Sequence, residues 1–187
     1  MSEQLQHHAQ ETIERQKHSG SLSGAADFLK ASYITRWGIV STAKEQSIAE
    51  HMYRVWTLVR VWGPLVQLST LDQQIAEELA LTHDLAEIRT GDCPTPFKTP
   101  FIKERLDMLE GEIYKQIPCN ERCKQFVKFA DTAESVLFLK MYGLGRHARE
   151  VEGLLSDQMW KRLTESLFSN EDQQTLIQQF TKTYHDT

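Results

Sequence analysis

Ala80-Leu81-Thr82-His83-Asp84-Leu85-Ala86-Glu87 sets an adjacent His-Asp pair one helical turn before a second acid. On a helix, positions i and i+4 share a face, so His83 and Glu87 point the same way. Asp84 lies about 100° round the axis, near enough to converge on the same ion. Ile75, Leu79, Leu81, Leu85 and Ile88 surround these groups and put the segment in a core. Burying that much charge is costly unless it is paired or bound to a metal. A His-Asp pair alone is more often part of a capped helix with one satisfied histidine. The flanking sequence decides between these readings.

Ser69 or Thr70 caps the helix that carries the pair, which is expected to run to about Arg89 and end at Thr90-Gly91. Upstream, Ser47-Ile48-Ala49-Glu50 is a capping box, with Ser47 as N-cap and Glu50 at the third position. The helix it opens carries His51, Val55, Leu58, Val59 and Trp62, and Gly63-Pro64 interrupts it. Thr35 to Val40 is rich in large side chains without helical period and reads as a loop or short extended piece. Ala25 to Tyr33 reads as a short helix with Phe28, Leu29 and Ile34 inward. Residues 1–24 form a polar N-terminal extension containing His7-His8, a solvated pair with no convergent acid, and a Ser/Gly-rich break.

Downstream, Asp92 to Lys98 holds two prolines and cannot be helical. Phe101 to Ile117 is helical, stopped by Pro118. Asn120 or Glu121 opens a long apolar helix through Phe126, Phe129, Val136, Leu137, Leu139 and Met141, ended by Gly143 and Gly145. Asp131 lies inside it, where a lone acid is unfavourable. Arg146 to Leu155, Ser156 to Phe168 and Asn170 to Tyr184 complete the chain as three further helices. With no strand period and no repeat, the fold class is all-α, a single domain over 25–187 of about seven or eight helices.

The chain has 187 residues, a formal net charge of −5 and three cysteines. The length suits one domain with a sizeable core. The absence of a basic run argues against a nucleic-acid polymer as partner. Cys93, Cys119 and Cys123 are odd in number and lack zinc-type spacing, which fits lone thiols in a reducing compartment. No apolar run spans a bilayer, so no membrane partner is expected and a cytoplasmic location is.

His51, His83, Asp84 and Asp131 thus sit on three separate apolar helices. Two imidazoles and two carboxylates make a mixed nitrogen and oxygen site for a divalent transition metal. Their order resembles that of the HD-domain metal-dependent phosphohydrolases. The resemblance is strongest to the small branch of phage dATP triphosphohydrolases and bacterial 5'-deoxynucleotidases. The motifs that carry it are Arg36-Trp37, Ser47-Ile48-Ala49-Glu50-His51, His83-Asp84-Leu85-Ala86-Glu87, Thr90-Gly91-Asp92-Cys93-Pro94-Thr95-Pro96-Phe97-Lys98 and Lys128-Phe129-Ala130-Asp131.

The resemblance implies an HD-domain helical bundle and a homo-oligomer, dimer or hexamer, in the cytoplasm (the host's, for a phage gene). It implies His51, His83, Asp84 and Asp131 as ligands of cobalt, manganese, zinc or iron. Glu87 is implied as the group that orients or deprotonates the attacking water, and Asp92 as an acid contacting the sugar or assisting proton transfer. Arg36 and Lys98 become phosphate ligands, with additional Mg or Co on a triphosphate. Trp37, Ile39, Pro94 and Pro96 would line the sugar and base. The implied activity is hydrolysis of a deoxynucleotide substrate, dATP to deoxyadenosine and triphosphate, and dADP and dAMP as further substrates. The alternative is a 5'-deoxynucleotidase that removes orthophosphate from monophosphates of any base. A regulatory nucleotide-binding module or a scaffold with a vestigial site would not need the acid at Glu87.

Overall fold

The longest helix, Glu121–Tyr142, is buried on every side from Phe129 to Leu139. A helix buried all round belongs at the centre of a bundle. It is α6 of eight α-helices in a computed structural model that describes residues 25–93, 98–114 and 116–187. The others are α1 (Ala25–Phe28), α2 (Ile48–Trp62), α3 (Thr70–Ala80), α4 (Glu87–Thr90), α5 (Pro100–Ile113), α7 (Gly145–Thr164) and α8 (Asn170–Asp186). Short 3₁₀ segments follow α1 (Leu29–Tyr33) and α2 (Gly63–Val66). The described residues contain no strand, only isolated bridges joining Thr35 to Ser47 and Thr42 to Gly143. The all-α expectation holds, and no described helix is long and apolar enough to cross a membrane. The extension 1–24 and its His7-His8 pair lie outside the described residues.

Helix α6 packs on α2, α3, α7 and α8. The main core joins Val55, Val59 and Trp62 of α2 to Phe126, Phe129 and Phe138 of α6 and to Met159 and Leu163 of α7. A smaller cluster joins Ile48 and Met52 of α2 to Ala31, Leu85 and Ile88. His51 lies on α2 where these two clusters divide. Ile48 and Val55, one turn below and above it, are both fully buried, and so is its ring.

The N-caps are as read. Ser47 Oγ accepts the Glu50 N–H at 3.1 Å, Ser69 Oγ the Asp72 N–H at 3.1 Å, and Asn120 Oδ1 the Cys123 N–H at 2.8 Å. Such caps satisfy donors that the first turn leaves without partners. The Glu50 carboxylate meets Lys44 Nζ at 2.5 Å.

Four boundaries differ from the sequence reading. Helix α3 stops at Ala80, and residues 81–86 are turns before α4 begins at Glu87. Thr82 Oγ1 donates to the Glu78 carbonyl at 2.8 Å, and the His83 ring bonds the Ala80 carbonyl at 2.9 Å. These side chains take acceptors that helical N–H groups would otherwise use. Helix α5 ends at Ile113 rather than Ile117, because Tyr114 turns extended and meets the Phe28 ring edge-on at 6.1 Å. The segments expected as 146–155 and 156–168 are one helix, α7: Ala148, Val151, Leu155, Met159 and Leu163 form one unbroken buried face. Ala25 to Tyr33 is α-helical for only four residues, and Phe28 and Leu29, expected inward, are exposed while Ala31 is buried.

Gly143 lets α6 turn into α7. A Cβ there would lie 2.5 Å from the Leu139 carbonyl oxygen and 3.0 Å from Ala148 Cβ. Gly153, within α7, faces open space. We therefore expect Gly143→Ala to destabilise by about 1–3 kcal/mol through overpacking. Gly153→Ala should stabilise by up to about 1 kcal/mol through helix propensity. Urea denaturation of both variants checks the opposite signs.

Candidate metal and nucleotide site

The turns at 81–86 hold the His-Asp pair against α2 and α6. Several backbone N–H groups here bond the carbonyl three residues back: Leu85 to Thr82 at 3.2 Å, Glu87 to Asp84 at 3.0 Å, Ile88 to Leu85 at 3.2 Å. This winding is tighter than an α-helix, so residues three apart eclipse. Glu87 is thereby aligned with Asp84 rather than with His83. Asp84 is accordingly the leading charge acting on the Glu87 carboxyl.

His51, His83 and Asp131 offer ligand atoms all within 4.8 Å of one another. His51 Nε2 lies 3.1 Å from Asp131 Oδ1 and 3.4 Å from Asp84 Oδ2. His83 Nε2 lies 3.4 Å from Asp84 Oδ2 and 3.9 Å from Asp131 Oδ1. Bonds of about 2.0–2.2 Å to a tetrahedral ion set neighbouring ligand atoms roughly 3.3 Å apart, which these separations approach. The other ring nitrogens are occupied. His83 Nδ1 is tied to the Ala80 carbonyl, and His51 Nδ1 to Glu134 Oε2 at 2.6 Å. Such bonds fix the tautomer that leaves Nε2 free to bind metal. Lys128 Nζ takes Asp131 Oδ2 at 2.5 Å, leaving Oδ1 to face the imidazoles.

Unpartnered atoms concentrate here. His51 Nε2, His83 Nε2, Arg36 Nε, Arg36 Nη1 and Glu87 Oε2 are buried without a hydrogen bond. Groups of this kind are costly in a core unless a ligand completes them. The nitrogen lone pairs suit a cation and the guanidinium N–H groups suit an anion. The residues therefore fit a divalent metal beside a phosphate.

Electrostatics points the same way. Burial and Arg36 press His51 down, yet Glu134, Asp131 and Asp84 together raise it to about 10. Burial opposes ionisation of Asp84 and Asp131. The imidazoles, and Lys128 in the case of Asp131, hold both carboxyls below the usual carboxylate range. Burial, then the charges of Asp84 and Asp92, raise Glu87 to about 9. The pocket favours positive charge at its centre.

The nucleotide side is built on Arg36 and Trp37. Arg36 Nε lies 3.7 Å from Asp92 Oδ1, and Nη1 lies 3.6 Å from Glu134 Oε2. Trp37 has φ 67°, a left-handed conformation that a bulky residue rarely adopts. The surroundings hold it there. Its carbonyl accepts Val40 N–H at 2.8 Å, its indole Nε1–H donates to Gln46 Oε1 at 2.8 Å, and its ring stacks on Phe138. Its N–H points to Asp92 Oδ2 at 3.4 Å. Lys98 Nζ sits 3.6 Å from Glu87 Oε1. Ile39 is 56% exposed on the same loop. Pro94 and Pro96 lie outside the described residues.

A family model described as 5'-deoxynucleotidase YfbR-like matches residues 25–119. The dATP triphosphohydrolase of cyanophage S-2L is 49% identical over 164 residues, covering 85% of this chain and 94% of that protein. The chain belongs to the YfbR-like family. A dATP triphosphohydrolase of Salmonella phage PMBT28 is 33% identical over 141 residues, covering 68% of the chain and 72% of that protein. Among solved structures, the cyanophage S-2L HD phosphohydrolase DatZ, bound to dA and one catalytic Zn²⁺ ion, superposes with a TM-score of 0.86 at 46% identity. It covers 89% of this chain and 99% of that one. The YfbR-like chain is thus an HD-domain phosphohydrolase in fold and family, and an enzyme.

Two residues of this YfbR-like site escaped the sequence reading. Glu134 is 1% exposed, and Gln46 is fully buried. Glu134 Oε1 accepts from Gln46 Nε2 at 2.8 Å and Arg54 Nε at 2.5 Å. The available signal was a second acid three residues after Asp131 in a helix whose flanking turns are apolar, since Glu is almost never fully buried unless paired.

Zinc binding should displace a proton from His51, whose imidazole would otherwise be charged up to about pH 10. Apparent affinity should therefore rise as pH increases from 6 to 8, with protons released on binding. Calorimetry in buffers of different ionisation enthalpy checks this. Saturation at a free zinc concentration of about 100 times Kd should stabilise the fold by about 2.7 kcal/mol over chelator-treated protein.

Proposed function

We propose that this chain is a zinc-dependent dATP triphosphohydrolase that releases deoxyadenosine and triphosphate from the free nucleotide. The observation that carries the chemistry is the pair of buried, unpartnered Nε2 atoms of His51 and His83 facing Asp84 and Asp131. The substrate rests on the similarity to phage dATP triphosphohydrolases and to a structure bound to dA.

His51, His83, Asp84 and Asp131 would hold the ion, which when bound supplies Lewis acidity at a phosphoryl oxygen and a more acidic water. The bond that forms joins water oxygen to the α-phosphorus, and the bond that breaks joins that phosphorus to O5' of the sugar. Arg36, with Nε and Nη1 lacking hydrogen-bond partners, clamps phosphate oxygens as a planar fork. Lys98 adds a point charge beside Glu87. Glu87 orients the attacking water and takes its proton. Burial and the neighbouring charges of Asp84 and Asp92 make it a stronger base than a surface carboxylate. Asp92, between Arg36 and the Trp37 amide, contacts the sugar and assists return of a proton to O5'.

Trp37 and Ile39 face the deoxyribose and adenine. An aliphatic edge at Ile39 gives a 2-amino group no acceptor, at a cost of about 1–3 kcal/mol for guanine. A triphosphate carries more charge than Arg36 and Lys98 balance, so Mg²⁺ or Co²⁺ on the phosphate tail accompanies the substrate. The second reading, a 5'-deoxynucleotidase acting on monophosphates, is favoured by the family match over residues 25–119.

With zinc, cobalt or manganese added, we expect dATP to yield deoxyadenosine and inorganic triphosphate, resolved by ion-exchange chromatography. Orthophosphate from dAMP and dGMP, with dATP untouched, would instead establish the second reading. Glu87→Gln should keep zinc and lose about 10²- to 10⁴-fold in turnover. Loss of zinc in that variant would make Glu87 a ligand. Ile39→Gly should narrow the preference for dATP over dGTP by roughly tenfold or more, measured as the ratio of kcat/KM values.

A further inference from the structure

We propose that Glu134 is a positioning residue for both halves of the site at once. It orients His51 as a ligand and, through Gln46, fixes the indole of Trp37. The metal arm of this proposal rests on the function proposed above; the Trp37 arm does not.

Both oxygens of the Glu134 carboxylate are engaged. Oε2 takes the His51 Nδ1 proton at 2.6 Å and faces Arg36 Nη1 at 3.6 Å. Oε1 takes Gln46 Nε2–H at 2.8 Å and Arg54 Nε–H at 2.5 Å. An acceptor that can only accept leaves each neighbour one orientation. Glu134 keeps a proton on Nδ1 of His51, so Nε2 is the nitrogen that faces Asp84 and Asp131 and that a metal would deprotonate. Gln46 must turn its amide N–H₂ to Glu134, so its Oε1 is left for the Trp37 Nε1–H at 2.8 Å. The indole is then held flat against Phe138, the rings 6.0 Å apart and 3° from parallel. Burial pushes the Glu134 carboxyl up, but His51, Arg36 and Arg54 outweigh it and keep the group ionised.

Glu134→Gln keeps the shape and breaks this logic. If the new amide N–H₂ faces His51, it donates to Nδ1 and moves the imidazole proton onto Nε2, where a metal would bind. If it faces Gln46, it forces that amide to flip and present N–H₂ to the Trp37 N–H. Either way one arm fails. The exchange variant Glu134→Gln/Gln46→Glu restores both arms: the carboxylate at 46 accepts from Trp37 and from the amide at 134, whose oxygen again accepts from His51, and only the part-exposed Arg54 guanidinium loses its acceptor.

The test pairs zinc affinity, by chelator competition, with the Trp37 indole ¹⁵N–¹H resonance of zinc-free protein, assigned with Trp37→Phe. For Glu134→Gln we expect either a loss of zinc affinity of about 10- to 100-fold or a displaced Trp37 resonance. In the exchange variant the affected signal should return toward wild type. Zinc affinity within twofold together with an unmoved Trp37 resonance overturns the proposal, as does an exchange variant no better than the single one. Should Glu134→Gln not fold, two measurements decide. Gln46→Leu must displace the Trp37 resonance. Cobalt-loaded wild type must show a shifted, exchangeable His51 Nδ1–H that Glu134→Asp perturbs. Failure of either overturns the proposal. A wild-type chain that binds no zinc would overturn the metal reading, and the zinc-free spectra would still judge the Trp37 arm.

Discussion

The bond between His51 Nδ1 and Glu134 Oε2, 2.6 Å long and fully buried, is the constraint on which the interior depends. It joins α2 to α6, the two helices whose contact forms the middle of the bundle. An ionised carboxylate at that depth is tolerable only with every oxygen engaged. Gln46, Arg54, Arg36 and His51 supply that engagement from three parts of the chain. The rotation of α2 about its axis is consequently set by polar geometry as well as by the apolar face of Val55, Val59 and Trp62.

The same arrangement explains how a mostly apolar bundle carries its chemistry. Helix α6 is surrounded by other helices, and its buried polar residues, Asp131, Thr132, Glu134 and Ser135, cluster at one level. At that level the turns at 81–86 approach with His83 and Asp84. The helix–turn–helix break there has two consequences. It lets the imidazole of His83 bond its own chain at Ala80, and it aligns Glu87 with Asp84. Trp37 completes the wall in a left-handed conformation that its local sequence does not favour. A stacked ring and three hydrogen bonds of the residue hold it there, strain borne at a functional site by tertiary contacts.

Much of this was legible in the chain itself. Ser47, Ser69 and Asn120 announce helix starts because a cap acts within three residues. Gly91 and the Gly143 region announce the ends of α4 and α6 for equally local reasons. The apolar spacing of α2 and of α6 reads as buried helix, and His51, His83, Asp84 and Asp131 stand out as polar groups on apolar surfaces. The division expected between Leu155 and Ser156, by contrast, does not occur, because the buried face from Ala148 to Leu163 is continuous.

The sequence by itself determined the helical class, most helix starts, and the types and order of the four groups that could bind a metal. Each of these rests on side chains acting within about one turn of their own backbone. Only the tertiary structure decided the tight winding that sets Glu87 over Asp84, and the part played by Glu134 and Gln46. The part played by Glu134 and Gln46 follows from contacts between residues 83 and 88 positions apart, whose hydrogen-bond partners no local pattern encodes. A buried glutamate in a helix reads as ordinary helix former until the imidazole, amide and guanidinium groups that satisfy it are brought in from elsewhere in the chain.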